Sequence, residues 1–199
     1  GRHELFGRWY FPRFIYGRFF VLRGFHVWSI EHDHPKLNAG FGANVDNAVI
    51  SAVFYSTLAR AGYFPVAELG TFRKLSSRLQ GHPSTDKKLP GIRMASGSLG
   101  QGLSVAAGAA QVKKLTGDKG IVYTLHGDGE LQEGQIWEAA MYSAANKVDN
   151  LIATIDYNGR QIDGDVEDVM SLGNLAQKWL AFGWEVLEMD GHQFEDIRA

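Results

Sequence analysis

The chain has 199 residues, of which 45% are apolar and 21% are charged, and its formal net charge is −2. These values fit one folded domain with a sizeable core, exclude a disordered chain, and give no sign of a nucleic-acid partner. Because the sequence contains no cysteine, disulfides, thiolate metal sites and cysteine nucleophiles are excluded. No run of 18 or more apolar residues occurs, so no membrane-spanning helix is expected.

Residues 1–54 differ in composition from the rest of the chain. Ten of the 24 aromatic residues fall between Phe6 and Trp28, where they alternate with arginines. This pattern fits a nucleic-acid-binding surface, and the scarcity of acidic residues fits a transit peptide. We favour a buried or interface segment, or a stretch that does not preserve the natural residues, because the segment is neither serine-rich nor clearly amphipathic.

Regular patterns begin at about residue 55. Residues 56–61 and 67–79 predict two helices, the first of which is stopped by Gly62. A polar loop follows at 81–86. The glycine-rich turn at 96–102 then leads into a predicted helix over 103–115, which is nearly uncharged and should be buried on most sides.

Strands and helices alternate in the second half of the chain. Strands are predicted over 120–125, 150–155 and 184–189, and helices over 135–147 and 174–182. This alternation predicts an α/β fold with a parallel sheet and helices on both faces. Ligands bind such sheets beyond the carboxyl ends of the strands, and all three predicted strands end in polar turns.

Two polar residues follow the first two of these strands. Asp128 lies between Gly127 and Gly129, and Asn158 follows the second strand. In a parallel sheet these two ends are neighbours or lie one strand apart. A carboxylate and an amide on adjacent ends can share a Mg²⁺ ion, which usually combines few protein ligands with phosphate oxygens. The two glycines would let the backbone approach a phosphate closely. The pattern therefore predicts a metal-diphosphate site, although Gly-Asp-Gly alone would be read as a turn.

Gly127-Asp128-Gly129, with 28 residues before Asn158, resembles the motif shared by thiamine diphosphate-dependent enzymes. The family pattern usually ends in two asparagines, and the first is Tyr157 here. Segments 78–83, 97–102, 127–139 and 161–164 resemble transketolase specifically. The resemblance covers about residues 55–199, the N-terminal, diphosphate-binding half of transketolase. Bacteria and archaea often encode that half as a separate polypeptide.

The resemblance implies how the metal and diphosphate would be bound. Asp128, Asn158 and the main-chain carbonyl of Arg160 would bind the divalent metal, which is Mg²⁺, Ca²⁺ or Mn²⁺. Gly127 and Gly129 would adjoin the diphosphate, with the Gly129 amide facing it. The cofactor implied is thiamine diphosphate.

The resemblance also implies roles around the cofactor's rings. Ile162 would pack against the thiazolium ring, and Ser98 and Leu99 would line the aminopyrimidine. His82 would contact the donor's hydroxyls and assist proton transfer, although alone it would be read as a surface-loop histidine. Glu133 would lie at a subunit interface, and it would also suit the start of a helix.

The reaction implied is transfer of a two-carbon ketol unit from a ketose phosphate to an aldose phosphate. The cofactor-activating glutamate would come from a pyrimidine-binding subunit or domain, in a homodimer or heterotetramer. A cytoplasmic enzyme of the pentose phosphate pathway is expected, with no nucleic-acid or membrane partner. The alternatives are deoxyxylulose phosphate synthase, a ketoacid dehydrogenase component, or a non-catalytic relative.

Two histidine elements of the family have no clear counterpart in residues 1–54. They would fall near His3 and at Val49. The chain is then either divergent, or its first 54 residues do not preserve the natural sequence; the close match of 55–199 favours the second. Residues 195–199 resemble the start of a helix, so the domain is expected to continue.

Overall fold

The structure is a computed structural model of the chain. Side chains are described from Ser51 onward. The Phe6–Trp28 segment (apart from the backbone of one strand), His3, Ser96 and the end of the chain lie outside the described residues, so the expectations attached to them stay predictions. The described residues are 18–24, 43–44, 48–94, 97–193 and 195–196.

The described part of the chain combines helices with a mainly parallel sheet, as the alternating pattern predicts. Its α-helices are α1 (Ala48–Arg60), α2 (Gln101–Leu115), α3 (Gly134–Ala145), α4 (Val166–Met170) and α5 (Leu175–Ala181). Its strands are β1 (Arg18–Gly24), β2 (Ala43–Asn44), β3 (Val122–Gly127), β4 (Leu151–Tyr157), β5 (Arg160–Gln161), β6 (Gly164–Asp165) and β7 (Trp184–Asp190).

The larger sheet has the strand order β2-β3-β4-β1-β7. Strands β2, β3 and β4 are parallel, and Gly127 at the end of β3 pairs with Asp156 near the end of β4. Of the two arrangements expected, side by side or one strand apart, the structure shows the two strand ends side by side. Strand β1 was not predicted; it runs antiparallel between β4 and β7.

The predicted helix over 67–79 is wrong. A short 3₁₀ helix covers Val66–Thr71, and turns follow in which Arg73 and Ser76 have positive φ values of 58° and 64°. Hydroxyl groups compete with helical hydrogen bonding in this segment: Thr71 Oγ1 donates to the Glu68 carbonyl, and Ser77 Oγ accepts from the Leu79 amide. Helix α1 also begins well before the predicted residue 56.

Helix α2 packs through its small residues. Ala106, Ala107 and Ala110 are at most 1% exposed, which allows close approach to α3 and β3. The helix was expected to be buried on most sides, but its outer face is exposed: Val112 is 59% exposed and Leu115 is 78% exposed. Among the described residues, no helix has the length and apolar content needed to cross a membrane.

Two buried clusters support the segments that carry polar motifs. The larger lies between the sheet and α2, α3 and α5, where the Trp179 and Trp184 rings are 5.0 Å apart and Trp184 Nε1 donates to the Ala140 carbonyl. The smaller joins α1 to the segment before residue 90, through Tyr55, Leu58 and Leu79. The first cluster holds the ends of β3 and β4, and the second holds the loop containing His82.

Candidate functional site

Asp128 joins the loops that follow β3 and β4. Its side chain is 1% exposed; Oδ1 accepts from the Gly129 amide at 2.9 Å, and Oδ2 accepts from the Gly159 amide at 2.5 Å. The Asp128 amide donates to the Asp156 carbonyl at 3.2 Å. The Gly129 amide, predicted to face a diphosphate, is therefore bonded to Asp128 in this structure. The structure brings Asp128 to the loop that carries Asn158, as predicted.

Asp128 and Asp156 place two buried carboxyl groups at this edge of the sheet. Burial raises the pKa of the Asp128 carboxyl to about 6, against the lowering effect of hydrogen bonds from Gly159 and Gly129, and the charge of Asp156 adds to the rise. Burial also raises the pKa of Asp156, whereas its bond to Asn158 and the nearby His192 lower it. Two poorly solvated carboxyl groups of this kind favour a bound cation.

Asn158 is oriented by hydrogen bonds within its loop. Its Nδ2 donates to Asp156 Oδ2 at 3.1 Å, and its Oδ1 accepts from the Arg160 amide at 2.8 Å. The Arg160 guanidinium lies 2.7 Å from Asp165 on the paired strand β6. Asp156 is not among the residues that the sequence predicts for the site. The available signal was its position at the end of a buried strand, two residues before Asn158.

The donor atoms at this edge fit a hard divalent cation. The Asp128 carboxylate and the Asn158 amide oxygen lie at adjacent strand ends, and Asp156 Oδ1 is buried without a hydrogen-bond partner among the described residues. Within that same part of the chain, no group of three or more His, Cys, Asp or Glu side chains could hold a metal, so the proposed ligands must include other oxygens. Carboxylate, amide and main-chain oxygens completed by phosphate oxygens are the set that Mg²⁺ accepts.

The glycine-rich turn packs directly on the loop after β3. Gly100 adopts a φ of +79°, and its amide donates to Glu130 Oε1 at 3.0 Å. A Cβ at Gly100 would lie 2.8 Å from Cβ of Glu133, so only glycine fits this contact. Ser98, which is exposed, and Leu99, which is partly buried, precede Gly100. The residues predicted for the aminopyrimidine are thus joined to the segment predicted for the diphosphate.

Glu133 and Ile162 are both exposed in this chain. Glu133 is the N-cap of α3, but its side chain forms no capping hydrogen bond. Ile162 is 75% exposed in the short β5–β6 hairpin. Gln161 Nε2 lies 3.4 Å from Gln132 Oε1, which links this hairpin to the loop after β3. The roles expected of Ile162 and Glu133 stay predictions.

His82 lies in a loop that helix α1 holds by two hydroxyl groups. Tyr55 Oη donates to the Gln80 carbonyl at 2.9 Å, and Ser51 Oγ donates to the Gly81 carbonyl. The His82 side chain is exposed, and its Cδ2 is 3.9 Å from the position that a Cβ would take at Gly97. The structure therefore places His82 beside the glycine-rich turn, with its backbone fixed from behind.

We expect Tyr55→Phe to loosen this loop. Tyr55 is 1% exposed, and burial raises the pKa of its hydroxyl to about 12, so it is a neutral donor. Its loss leaves the Gln80 carbonyl short of a partner, which should lower the free energy of unfolding by about 1–3 kcal/mol in urea denaturation. Tyr142→Phe removes a hydrogen bond between exposed side chains and should cost less than about 0.5 kcal/mol. Equal stability of Tyr55→Phe and the parent chain would show that this hydroxyl does not hold the loop.

Residues 44–199 match the family described as transketolase, thiamine diphosphate binding domain. An apulose-4-phosphate transketolase subunit of Phocaeicola vulgatus is 46% identical over 173 residues, which are 87% of this chain and 61% of that protein. The 6-deoxy-6-sulfo-D-fructose transketolase subunit SqwG of a Clostridium species is 41% identical, over 84% of this chain and 58% of that protein. The transketolase structure from Campylobacter jejuni superposes with a TM-score of 0.59 and 31% identity, over 76% of this chain and 25% of that one.

The family match begins at residue 44, eleven residues before the start of the regular sequence pattern at residue 55. The chain spans 58–61% of these two curated subunits. The four motifs, the neighbouring ends of β3 and β4 and the extent of the match all lead to one conclusion: the chain belongs to the family of the transketolase thiamine diphosphate-binding domain.

Proposed function

We propose that this chain is the N-terminal, diphosphate-binding part of a transketolase. The whole enzyme would transfer a two-carbon ketol unit from a ketose phosphate to an aldose phosphate. The observation that carries the proposal is the buried Asp128 carboxylate, which is held between the loops after β3 and β4 by the Gly129 and Gly159 amides. A carboxylate oxygen at this strand edge would suit a diphosphate-bound cation, which supports the proposal.

The residues at this edge would bind the cofactor's charged end. Asp128, Asn158 and the Arg160 carbonyl would hold Mg²⁺, Ca²⁺ or Mn²⁺, and Gly127 and Gly129 would leave room for the diphosphate. The buried negative charge of Asp128 and Asp156 supports this assignment, because a divalent cation would neutralise it. When bound, thiamine diphosphate supplies the electron sink for carbon–carbon bond cleavage.

The remaining site residues would position the cofactor's rings and the sugar. Ser98 and Leu99 would line the aminopyrimidine, and Ile162 would cover the thiazolium ring with its exposed apolar side chain. His82 would contact the donor's hydroxyl groups and assist proton transfer to and from them. Its place beside Gly97, next to the proposed ring-binding residues, supports this role.

The proposed enzyme needs a partner subunit or domain that supplies the pyrimidine-binding half and its activating glutamate. Both curated relatives carry the word subunit in their names, which supports a split enzyme. The exposed side chains of Val105 and Val112 on α2 and Met141 on α3 offer apolar area for such an association, and Glu133 directly precedes α3. A homodimer or a heterotetramer in the cytoplasm would follow.

A coupled assay on the natively purified complex tests the proposed function. It should contain thiamine diphosphate, Mg²⁺, a ketose phosphate donor and an aldose phosphate acceptor, with a chelated control. The names of the two relatives justify adding apulose-4-phosphate and 6-deoxy-6-sulfo-D-fructose to the donor panel. We expect metal-dependent two-carbon transfer. Turnover of pyruvate instead of any ketose would contradict the proposal, as would no transfer from any donor.

A further inference from the structure

Glu130 is a buried carboxylate at the contact between two segments of the site. Its side chain is 0% exposed. Oε1 accepts from the Gly100 amide at 3.0 Å, and Oε2 lies 3.0 Å from Nδ1 of His126. Gly100 belongs to the glycine-rich turn, and His126 belongs to β3. One side chain therefore connects the turn to the strand that ends at Gly127.

A local structural role does not account for this residue. The short 3₁₀ helix at Gly129–Gln132 is capped by Asp128, whose side chain accepts from the Gly129 amide. Glu130 is directed away from solvent, where a carboxylate is costly unless it is well partnered. Burying a carboxyl group rarely adds net stability, so this residue is better explained by the geometry that it enforces. Here the enforced geometry is the position of Gly100.

The position of Gly100 is restricted by the residues packed around it. Gly100 has a φ of +79°, and there is no room for a Cβ between it and Cβ of Glu133, 2.8 Å away. His126 is 1% exposed and lies next to Oε2 of Glu130, the oxygen that does not bond to Gly100. The turn is thus held by a hydrogen bond to a buried carboxyl oxygen and by close packing at the same residue. A displacement of the Glu130 carboxylate would move the turn.

We propose that Glu130 is a positioning residue that sets the separation of the two cofactor subsites. This inference rests on the proposed function. Ser98 and Leu99, immediately before Gly100, are the proposed aminopyrimidine contacts, and Asp128 is the proposed metal ligand two residues before Glu130. The Glu130–Gly100 bond is the direct polar link between them.

This link matters because the proposed cofactor is one molecule that must reach both subsites at once. When two linked groups bind together, the second binds at a high effective concentration only if the spacing of the sites matches the linkage. A displaced turn would weaken binding of the whole cofactor, whereas a ligand that uses only the metal-diphosphate subsite would be unaffected. That difference separates positioning from general destabilisation.

The test compares two ligands on the assembled complex with its pyrimidine-binding partner. Isothermal titration with Mg²⁺ present would measure thiamine diphosphate and inorganic diphosphate separately. For Glu130→Ala, we expect thiamine diphosphate to bind at least about 10-fold more weakly, with inorganic diphosphate changed by less than about 2-fold. Glu130→Gln keeps an oxygen acceptor for the Gly100 amide, so both ligands should bind within about 3-fold of the parent complex.

Gly100→Ala provides a second, independent displacement of the turn. It should show the same selective loss as Glu130→Ala, and it keeps the inference testable where Glu130→Ala does not fold. Equal weakening of both ligands, or no weakening of either, would overturn the positioning role. A parent complex that binds neither ligand with Mg²⁺ would instead overturn the proposed function, and the inference with it.

Discussion

In the assembled complex, Asp128→Asn should weaken binding of thiamine diphosphate with Mg²⁺ by more than about 100-fold, beyond the loss typical of residues that only support a metal ligand. The substitution keeps the size of the side chain but removes its charge. Both Asp128 oxygens accept backbone hydrogen bonds, so an amide would also set its NH₂ group against the Gly129 or Gly159 amide. Isothermal titration with and without a chelator would measure the loss.

Two controls separate this loss from unfolding. Asp149→Asn removes an exposed carboxylate that pairs with Lys114 at 2.9 Å, and it should leave cofactor affinity unchanged. The unliganded Asp128→Asn protein should stay folded. Burial raises the pKa of Asp128 to about 6, so ionising this side chain at pH 7.5 destabilises the folded parent protein. Asparagine does not ionise and avoids that cost. The gain offsets the lost hydrogen bond, which is worth about 1 kcal/mol. Normal metal-dependent cofactor binding by this variant would refute the assignment of Asp128.

We expect His82→Ala to lower kcat by about 100-fold or more while cofactor affinity changes by less than about 3-fold. The side chain is exposed next to the glycine-rich turn, and the hydrogen bonds of Asp128 and Asn158 are to other residues. Its removal should therefore affect proton movement and leave the metal-diphosphate subsite intact. Steady-state kinetics at saturating thiamine diphosphate and Mg²⁺ would measure kcat and the KM for the donor.

Asp86→Asn is the matched control for His82. Asp86 is exposed in the same loop, 3.2 Å from Lys87, so its loss should leave kcat within about 2-fold of the parent. His82→Gln should stay close to His82→Ala, because glutamine can donate a hydrogen bond but cannot transfer the proton. An increase in KM with unchanged kcat would restrict His82 to donor binding, and no change in either would remove it from the site.

The shared edge of β3 and β4 was predictable from the sequence because parallel strands end at the same edge of a sheet, either side by side or one strand apart. Consecutive parallel strands bring Asp128 and the segment before Asn158 to one edge, and the pairing of Gly127 with Asp156 confirms it. The residues that follow such strands are therefore informative without knowledge of packing. The roles assigned to these residues by resemblance remain predictions.

Other features depend on contacts between segments far apart in sequence. Glu130 and Gly100 are 30 residues apart, and no local pattern indicates that the carboxylate turns inward to the glycine-rich turn. The helix predicted over 67–79 failed because the hydroxyls of Thr71 and Ser77 bond to the backbone and to each other, which is invisible to hydrophobic periodicity. Strand β1 lies in the arginine- and aromatic-rich segment, for which we favoured a buried or interface segment and predicted no strand.

The two hydrogen bonds that join Asp128 to the β4 segment also favour the correct alignment of β3 with β4. A one-residue slip of β3 along β4 would turn every side chain of the strand to the opposite face of the sheet. Asp128 would then lose its bonds to the Gly159 amide and the Asp156 carbonyl together, leaving a buried carboxylate and main-chain groups unpaired. A misaligned sheet is therefore less stable because of the same residue that is proposed to hold the metal. Selection that keeps Asp128 for cofactor binding would also preserve the correct strand alignment.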